Sequence, residues 1–281
     1  MKRILKYIFI ALAIFLFIDI GRYAFYDIEK LEKNNPIPTA FMEYRMDQWK
    51  DKGEEKTIIQ KWVPLKKISP YVIKAVLISE DDKFWKHEGF DAEALESAFE
   101  KNLKSGKFGF GGSTISQQLS KNIYLSPSKN PIRKIKEAII TYKIEKSISK
   151  KRIIEMYLNI AEWGDGIFGI EAAARHYFHK SAKNLTAMEA AKLASVLPNP
   201  IIYNPIGKQK FVVKKSNRIY KIMQRRGIVI PEFKEIMKVE TIDTNTTTAI
   251  QDTTVLEEER IEEKENIIQT PLEKQELNTT M

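Results

Sequence analysis

Cysteine is absent from this 281-residue sequence, and histidine occurs three times, at His87, His176 and His179. A chain without cysteine forms no disulfide, offers no thiolate nucleophile and holds no cysteine-ligated zinc. Three histidines also make a multi-histidine metal centre unfavourable, and we interpret His176 and His179 as structural or surface residues. Functions that depend on a thiolate or on a histidine-rich metal site are therefore disfavoured.

The charge of the chain is unevenly distributed within a formal net charge of +9. From Glu240 onward there are 11 acidic and three basic residues, which gives a net charge of −8. The first 239 residues carry the other 43 basic and 26 acidic residues, a net charge of +17. Such a basic body favours an anionic partner: nucleic acid, a phospholipid surface or a phosphorylated substrate. With 43% apolar residues, the chain can bury one sizeable core and a smaller lobe.

The N-terminal segment has the pattern of a membrane anchor. Three cations within residues 1–6 precede an apolar run, Tyr7–Ile18, and the segment continues to Tyr26. This length is sufficient to cross a bilayer, with Asp19 and Arg22 close enough in sequence to pair at the interface. A cleavable signal peptide is the alternative, but no small-x-small cleavage site follows the run. We expect an uncleaved, single-pass anchor with its N-terminus in the cytoplasm, which disfavours nucleic acid as the partner.

Helix signals dominate residues 69–226. Each predicted helix start has a capping residue. In two of them proline follows the cap, and in two others glutamine or glutamate completes a capping box. The starts are Ser69-Pro70, Asp91, Thr114 with Gln117, Asn130-Pro131, Ser149, and Thr186 with Glu189. The expected apolar stripes are Leu95, Phe99 and Leu103 after Asp91, and Ile132, Ile135, Ile139 and Tyr142 after Pro131. Only Thr57–Pro64 suggests an extended segment, so the sequence predicts a mainly α fold.

The stretch from Ser79 to Asp91 concentrates acids, aromatics and a histidine directly after the apolar run 71–78. Glu80 is thus predicted to lie where a buried helix ends. A carboxylate held partly in apolar surroundings has a raised proton affinity, as a general base or acid requires. The alternative is a charged helix end that is exposed to solvent.

Two later segments add candidate polar groups. Gly111 and Gly112 precede the helix that Thr114 caps, and such a helix N-terminus can host an anion. Thr114, Gln118 and Lys121 share one face of it, although an ordinary amphipathic helix has the same pattern. In the next helix Arg133 and Glu137 are four residues apart, and most such pairs are surface salt bridges of little energy.

Five blocks in this order resemble the motifs of monofunctional peptidoglycan glycosyltransferases, the transglycosylase family that polymerises lipid II. The blocks are Glu80-Asp81-x-x-Phe84-x-x-His87-x-Gly89-Phe90-Asp91, residues 111–122 (GGSTISQQLSKN), residues 133–137 (RKIKE), residues 151–159 (KRIIEMYLN) and residues 169–174 (GIEAAA). Ser116 stands in the second block where threonine is usual.

The resemblance implies a lysozyme-like helical fold with a small jaw lobe against the membrane. It divides the chain into a cytoplasmic N-terminus and transmembrane anchor (residues 1–26), a linker and jaw-side segment (27–68), a glycosyltransferase catalytic domain (69–239) and an acidic, disordered tail (240–281). The implied reaction joins a lipid-diphosphate-linked glycan to the 4-hydroxyl of lipid II, inverts the anomeric centre and releases undecaprenyl diphosphate.

The resemblance also implies residue roles. Glu80 would be the general base for the acceptor hydroxyl, and Glu137 a second catalytic carboxylate that positions the donor or holds a divalent cation, Mg²⁺ or Mn²⁺. The substrate-binding residues would be Asp81, Phe84 and His87 beside the base, Thr114, Gln118, Lys121 and Asn122 at the donor site, and Lys121 and Arg133 at the leaving diphosphate. No organic cofactor is implied.

The expected partners are lipid II, the lipid-linked glycan strand, the membrane and other cell-wall synthesis proteins. The expected location is the bacterial inner membrane, with the catalytic domain in the periplasm.

The sequence leaves three alternatives to this interpretation. The first is a lysozyme-like hydrolase, but its substrate has no diphosphate that Lys121 and Arg133 could bind. A membrane-tethered scaffold without catalysis would not depend on Glu80. A bifunctional enzyme with a transpeptidase is not expected, because the Ser-x-x-Lys matches at residues 126–129 and 147–150 are frequent by chance in a lysine-rich chain and no second domain's length follows Pro205.

Deletion of residues 241–281 is expected to leave lipid II polymerisation in vitro largely intact, because this segment lacks the apolar periodicity of a folded core. The measurement is the polymerisation rate of the truncated and full-length proteins at equal concentration. A collapse of the rate would show that the acidic tail belongs to the catalytic domain.

Overall fold

A computed structural model of the protein describes residues 2–106, 111–127 and 130–227. Within these residues the chain forms ten α-helices: α1 (Lys2–Gly21), α2 (Ala40–Asp51), α3 (Pro70–Glu80), α4 (Ala92–Ser105), α5 (Ile115–Tyr124), α6 (Pro131–Ser147), α7 (Lys150–Ile160), α8 (Ile170–Phe178), α9 (Ala187–Val196) and α10 (Lys210–Arg225). The prediction of a mainly helical fold is confirmed. The predicted acidic tail, residues 240–281, lies outside the described residues.

A small sheet accompanies the helices. Its strands are β1 (Ile59–Gln60), β2 (Glu162–Gly164) and β3 (Ile167–Phe168), in the order β1-β3-β2. Strand β3 pairs in parallel with β1 and antiparallel with β2. Strand β1 lies inside the extended segment predicted at Thr57–Pro64.

The core forms where α3, α9 and α10 pack against one another, and where α5 packs on α6 and α7. Helix α3 buries Val72, Ala75 and Val76 completely. The facing helix α9 contributes small side chains, including Ala190 and Ala194, which are also buried. Small residues on one helix let the backbones approach closely, so α3 is held firmly along its length and its C-terminal end at Glu80 has a fixed position.

The predicted helix starts agree with the structure. Thr114 and Thr186 form complete capping boxes with Gln117 and Glu189. The side chains of Asp91, Asn130 and Ser149 also cap their helices. Ser69 occupies the predicted cap position of α3, but its Oγ donates instead to the carbonyl of Leu185 at 2.9 Å.

The predicted apolar stripes of α4 and α6 are not the buried faces of these helices, although Ile139 of the α6 stripe packs against the core. On α4, Leu95, Phe99 and Leu103 are 62–66% exposed, and Ala98 is the buried residue of this helix. On α6, Ile135 and Tyr142 are exposed. The buried face of α6 consists of Glu137, Ile140, Thr141 and Ile144. Both helices carry apolar side chains on more than one face, so spacing alone did not identify the side that packs.

Helix α1 is joined to α6 by polar contacts at its C-terminal end. The Asp19 carboxylate lies 3.3 Å from Arg22, as predicted, and 2.5 Å from Lys136 of α6. Lys143 of α6 donates to the carbonyls of Ala24 and Tyr26 at 2.5 and 2.6 Å. Across the described ranges, no helix combines the length and hydropathy needed to cross a bilayer. The predicted transmembrane anchor is therefore not confirmed.

A buried ion pair attaches α2 to the sheet. Arg45 donates from Nε and Nη2 to the two carboxylate oxygens of Glu162 at 3.0 and 2.7 Å, and the Glu162 side chain is 3% exposed. The Gly166 amide also donates to Glu162 at 3.3 Å. Burial raises the pKa of Glu162, and the Arg45 guanidinium opposes that rise. The carboxylate therefore depends on Arg45 to be accommodated in the core.

Replacing Arg45 with methionine (Arg45→Met) should destabilise the fold by about 3–5 kcal/mol, because it leaves the Glu162 carboxylate buried without its ionic partner. Denaturant unfolding followed by circular dichroism measures the change. The matched control is Lys56→Met, since Lys56 forms its ion pairs with Glu54 and Asp165 at the surface. Its expected cost is below about 1 kcal/mol, and equal losses in the two variants would contradict the assignment.

Candidate active site

Glu80 is the last residue of α3, and its carboxylate has partners from three elements. Ser79 donates its hydroxyl to Oε1 at 2.7 Å, and Gln118 of α5 donates Nε2 to Oε2 at 3.2 Å. The ammonium of Lys215 in α10 lies 3.6 Å from Oε1. The Glu80 side chain is 12% exposed. It is thus a largely buried carboxylate, and the prediction of a carboxylate at the end of a buried helix is confirmed.

Asp81 connects the end of α3 to the start of α5. Its Oδ2 accepts the backbone amide of Ile115 at 2.9 Å, and Oδ1 lies 2.9 Å from Nε2 of His87. The Gly89 amide donates to Nδ1 of His87 at 3.0 Å, so Nδ1 is the acceptor and Nε2 carries the proton that is donated to Asp81. A carboxylate at a helix N-terminus is favoured by the unpaired amides there. Asp81 and His87 therefore fix the loop that follows Glu80.

Phe84 anchors the same loop in the core. It is fully buried, and Nζ of Lys150 lies 4.5 Å from its ring centroid. Lys150 also pairs with Glu145 at 2.9 Å. Glu145, whose side chain is 5% exposed, accepts a second hydrogen bond from the hydroxyl of Ser116 on α5. This cluster lies behind the loop and holds it against α5 and α6.

Helix α5 presents Gln118 to Glu80. Thr114 is occupied by its capping box and by donation of its hydroxyl to the carbonyl of Gly89 at 2.7 Å. Its side chain therefore supports the loop rather than facing open space. Gln118, one turn further along, donates to Glu80 and accepts from the hydroxyl of Tyr157 on α7 at 3.0 Å.

Lys121 lies one turn after Gln118 on α5, between the two candidate carboxylates. Burial lowers the pKa of its ammonium; the charge of Glu137 opposes this, while Arg133 and Lys134 lower the pKa further and Glu80 raises it. In the part of the chain that the structure describes, no carboxylate lies within ion-pair distance of Nζ. Asn122, the next residue, is 8% exposed.

Glu137 is a buried carboxylate whose two oxygens are both ion-paired. Arg133 donates to Oε2 at 2.6 Å and Lys134 donates to Oε1. The Glu137 side chain is 3% exposed, whereas the Lys134 side chain is 47% exposed and also donates to Ser113 at 3.1 Å. The expectation of a solvated surface pair is wrong here, because Glu137 lies on the core face of α6.

The residues around Glu137 are a poor match for a metal ion. A divalent cation held by protein requires several oxygen ligands, and both Glu137 oxygens already contact cations. Over the described ranges, no group of three histidine, aspartate or glutamate side chains is placed to share a metal. The expected Mg²⁺ or Mn²⁺ remains an untested prediction.

The structure brings the predicted residues into two adjoining groups. Glu80, Asp81, Phe84 and His87 form the first, with Thr114 and Gln118 contacting it from α5. Glu137, Arg133 and Lys134 form the second. Lys121 lies one turn after Gln118 on α5, and the charges of Glu137 and Glu80 both oppose the lowering of its pKa by burial.

Sequence reasoning did not single out Lys215 or Tyr157. Lys215 contacts Glu80 from α10, a helix that carries none of the predicted site residues. The sequence feature that could have identified Lys215 is its helical spacing from Val212 and Ile219, which places a charged residue on the buried, apolar face of α10. Tyr157 was noticed only as part of the fourth block.

The fourth and fifth sequence blocks, residues 151–159 and 169–174, mainly contact backbone groups away from Glu80 and Glu137. Arg152 donates to the carbonyls of Leu31 and Asn34, and Asn159 exchanges two hydrogen bonds with the backbone of Val63. The buried carboxylate of Glu171 accepts the Ala182 amide at 2.7 Å. These blocks hold residues 27–68 and the segment before α9 onto the core.

The family model and the relatives that match this chain belong to one family. The family model described as Transglycosylase matches residues 48–224. A protein of Laribacter hongkongensis named "Biosynthetic peptidoglycan transglycosylase" is 43% identical over 226 residues, which cover 80% of this chain and 96% of the relative. Proteins of the same name from Janthinobacterium sp. and Nitrosospira multiformis are 41% and 46% identical, over 81% and 66% of this chain and 100% and 80% of their own lengths.

Replacing Gly89 with alanine should destabilise the loop that carries Asp81 and His87. Gly89 has φ +89°, and an added Cβ would lie 2.8 Å from Cγ of Glu145 and 2.9 Å from Cγ2 of Thr141. Backbone strain and the steric overlap together should cost about 2–5 kcal/mol. Thermal unfolding measures the change.

The control for this prediction is Gly53→Ala. Gly53 also has a positive φ, +69°, but an added Cβ meets no atom within 4 Å. Only strain of about 1 kcal/mol should remain there. A similar loss of stability at the two positions would show that the close approach to Glu145 and Thr141 has no energetic effect.

Proposed function

Because the chain belongs to the transglycosylase family, we propose that it is a peptidoglycan glycosyltransferase of cell-wall synthesis that polymerises lipid II into glycan strands. The observation that carries this proposal is the pairing of a largely buried carboxylate, Glu80, with a neighbouring group of cations, Lys121, Arg133 and Lys134. Such a site can remove a proton on one side and accept a leaving diphosphate on the other.

Glu80 is proposed to act as the general base. It takes the proton of the 4-hydroxyl of the acceptor lipid II while that oxygen forms a bond to the anomeric carbon of the donor. The bond between this carbon and the diphosphate breaks, the anomeric centre inverts, and undecaprenyl diphosphate leaves with the bonding electrons. The immobile carboxylate at the end of α3 supports this role, because a base must be held within hydrogen-bond reach of the proton it removes.

The cations are proposed to bind the donor diphosphate. Lys121 and Arg133 would meet its negative charge, which grows as the sugar–oxygen bond breaks, and fixed cations stabilise such charge without reorganising. Glu137 would orient Arg133 and Lys134 rather than react. Asp81, Phe84, His87 and Thr114 would preserve the loop geometry, and Gln118 and Asn122 would line the donor side.

A glycan hydrolase is less well supported. An inverting or retaining hydrolase needs a second carboxylate that activates water or attacks the sugar. Both oxygens of Glu137 are engaged with cations, so neither is free to activate water or to attack the sugar. A scaffold without catalysis would not depend on Glu80, so the effect of Glu80→Gln separates it from the proposed enzyme.

We also propose that the enzyme works without a transpeptidase. The Ser-x-x-Lys match at residues 147–150 has a structural use, since Lys150 pairs with Glu145 and covers Phe84. Other cell-wall synthesis proteins as partners remain a prediction.

The proposed location is the bacterial plasma membrane, with the N-terminus in the cytoplasm and the catalytic domain in the periplasm. It is supported by the cations that precede the apolar run at residues 7–18 and by the net charge of +17 on the first 239 residues. A lipid-linked, diphosphate-bearing substrate would be found at this surface.

The proposed function predicts that the purified protein converts lipid II into glycan polymer and that Glu80→Gln abolishes turnover. Loss of a catalytic general base reduces the rate by about 10²–10⁴-fold, while the isosteric amide should keep the fold. The measurement is polymer formation from labelled lipid II, with the thermal unfolding temperature of the variant measured in parallel.

The matched control is Glu88→Gln, which changes an acid of the same loop whose side chain is 80% exposed and pairs with Lys146. This variant should polymerise at close to the wild-type rate. Near-normal turnover by Glu80→Gln would refute its role as the base. Release of soluble sugar from finished peptidoglycan, without polymer formation from lipid II, would favour the hydrolase instead.

A further inference from the structure

Gln118 is a bridge between Glu80 and a buried tyrosine. Its Nε2 donates to Oε2 of Glu80 at 3.2 Å, and its Oε1 accepts the hydroxyl of Tyr157 at 3.0 Å. Tyr157 comes from α7, in the core, and is 1% exposed. One amide thus connects the proposed base to a hydroxyl that the substrate cannot reach.

The chemistry of the three groups fixes the direction of these hydrogen bonds. An ionised carboxylate only accepts, so the NH₂ group of Gln118 has to face Glu80. The amide oxygen then faces Tyr157 and needs a donor there. Burial raises the pKa of the Tyr157 hydroxyl well above its usual value, and the negative charges of Glu80 and Asp81 raise it further. The hydroxyl therefore stays protonated and remains a donor at physiological pH.

The two oxygens of Glu80 have different partners. Oε1 is held by the Ser79 hydroxyl and lies near the Lys215 ammonium, while Oε2 is held by the Gln118 amide. A side-chain amide that is free to rotate would present its oxygen to the carboxylate for part of the time, and this arrangement is repulsive. In the orientation that donates to Glu80, the amide oxygen accepts the Tyr157 hydroxyl, so this hydrogen bond anchors Gln118 in that orientation.

We infer that Tyr157 is a positioning residue for the reaction: its hydroxyl holds the Gln118 amide in the orientation that keeps Glu80 Oε2 in place for proton transfer. This inference rests on the proposed function of Glu80 as the base. Tyr157 would contact neither the donor nor the acceptor. Its loss should thus lower kcat and leave KM for lipid II nearly unchanged.

The first variant is Tyr157→Phe, which keeps the buried ring and removes only the hydroxyl. We expect kcat to fall about five- to tenfold, the effect of losing one hydrogen bond of ordinary strength. The matched control is Tyr177→Phe, because the Tyr177 hydroxyl also has a protein partner, the carbonyl of Trp163 at 3.3 Å, in a contact away from Glu80. That variant should keep the wild-type kcat.

A double-mutant cycle separates positioning from a general effect on stability. In a Gln118→Met background there is no amide to orient, so adding Tyr157→Phe should cause no further loss of kcat. Equal fold losses in the wild-type and Gln118→Met backgrounds would overturn the inference. So would a Tyr157→Phe enzyme within twofold of the wild-type kcat.

A second variant tests the orientation without disturbing the core. Gln118→Glu can still accept from Tyr157, but in its ionised form it cannot donate to Glu80 and repels it, so kcat should fall although Tyr157 is intact. Normal kcat in this variant would overturn the inference even if Tyr157→Phe fails to fold. Wild-type polymerisation in the same assay distinguishes the outcomes: if the wild type makes polymer, these failures concern Tyr157 alone, and if it makes none, the proposed function and the inference fall together.

Discussion

The geometry of the candidate site depends on the hydrogen bonds that the Asp81 carboxylate accepts. It accepts the Ile115 amide at the start of α5 and the ring proton of His87, so one side chain joins α3, the loop after it and α5. Without this connection the end of α3 would have no fixed relation to the face of α5 that carries Gln118 and Lys121. A helix N-terminus needs acceptors for its free amides, and the chain meets that need with a residue adjacent to Glu80.

Much of this arrangement was predictable because it depends on local rules. Capping residues marked the starts of α4, α5, α6, α7 and α9, since a side-chain oxygen that accepts a backbone amide has a strict position in the sequence. The carboxylate at the end of α3 followed from an apolar run that stops at Ser79 and Glu80. The spacing of Gln118 and Lys121 predicted a shared face. These are properties of single helices, and they do not require knowledge of tertiary contacts.

The rest of the arrangement depends on which helix faces pack against each other, and local sequence patterns do not determine this. Helix α6 has apolar residues on two faces, and the core selects the one that contains Glu137, Ile140 and Ile144. A carboxylate expected at the surface is consequently buried between two cations. Tyr157 and Lys215 reach Glu80 from α7 and α10, which are distant in sequence. Such contacts become visible only when the helices are packed together.

The group of side chains around Glu80 and the group around Glu137 differ in net charge, and this difference would orient an anionic donor. On the side of Glu80, the proposed base, the Lys215 ammonium partly offsets the charges of the Glu80 and Asp81 carboxylates. The other side holds three cations, Lys121, Arg133 and Lys134, against one carboxylate, Glu137. An anionic donor would therefore be attracted to the α5–α6 side, where cations outnumber carboxylates, rather than to the side of Glu80. A carboxylate base and a diphosphate leaving group can share one site only if the cations outnumber the acids on the side where the diphosphate leaves.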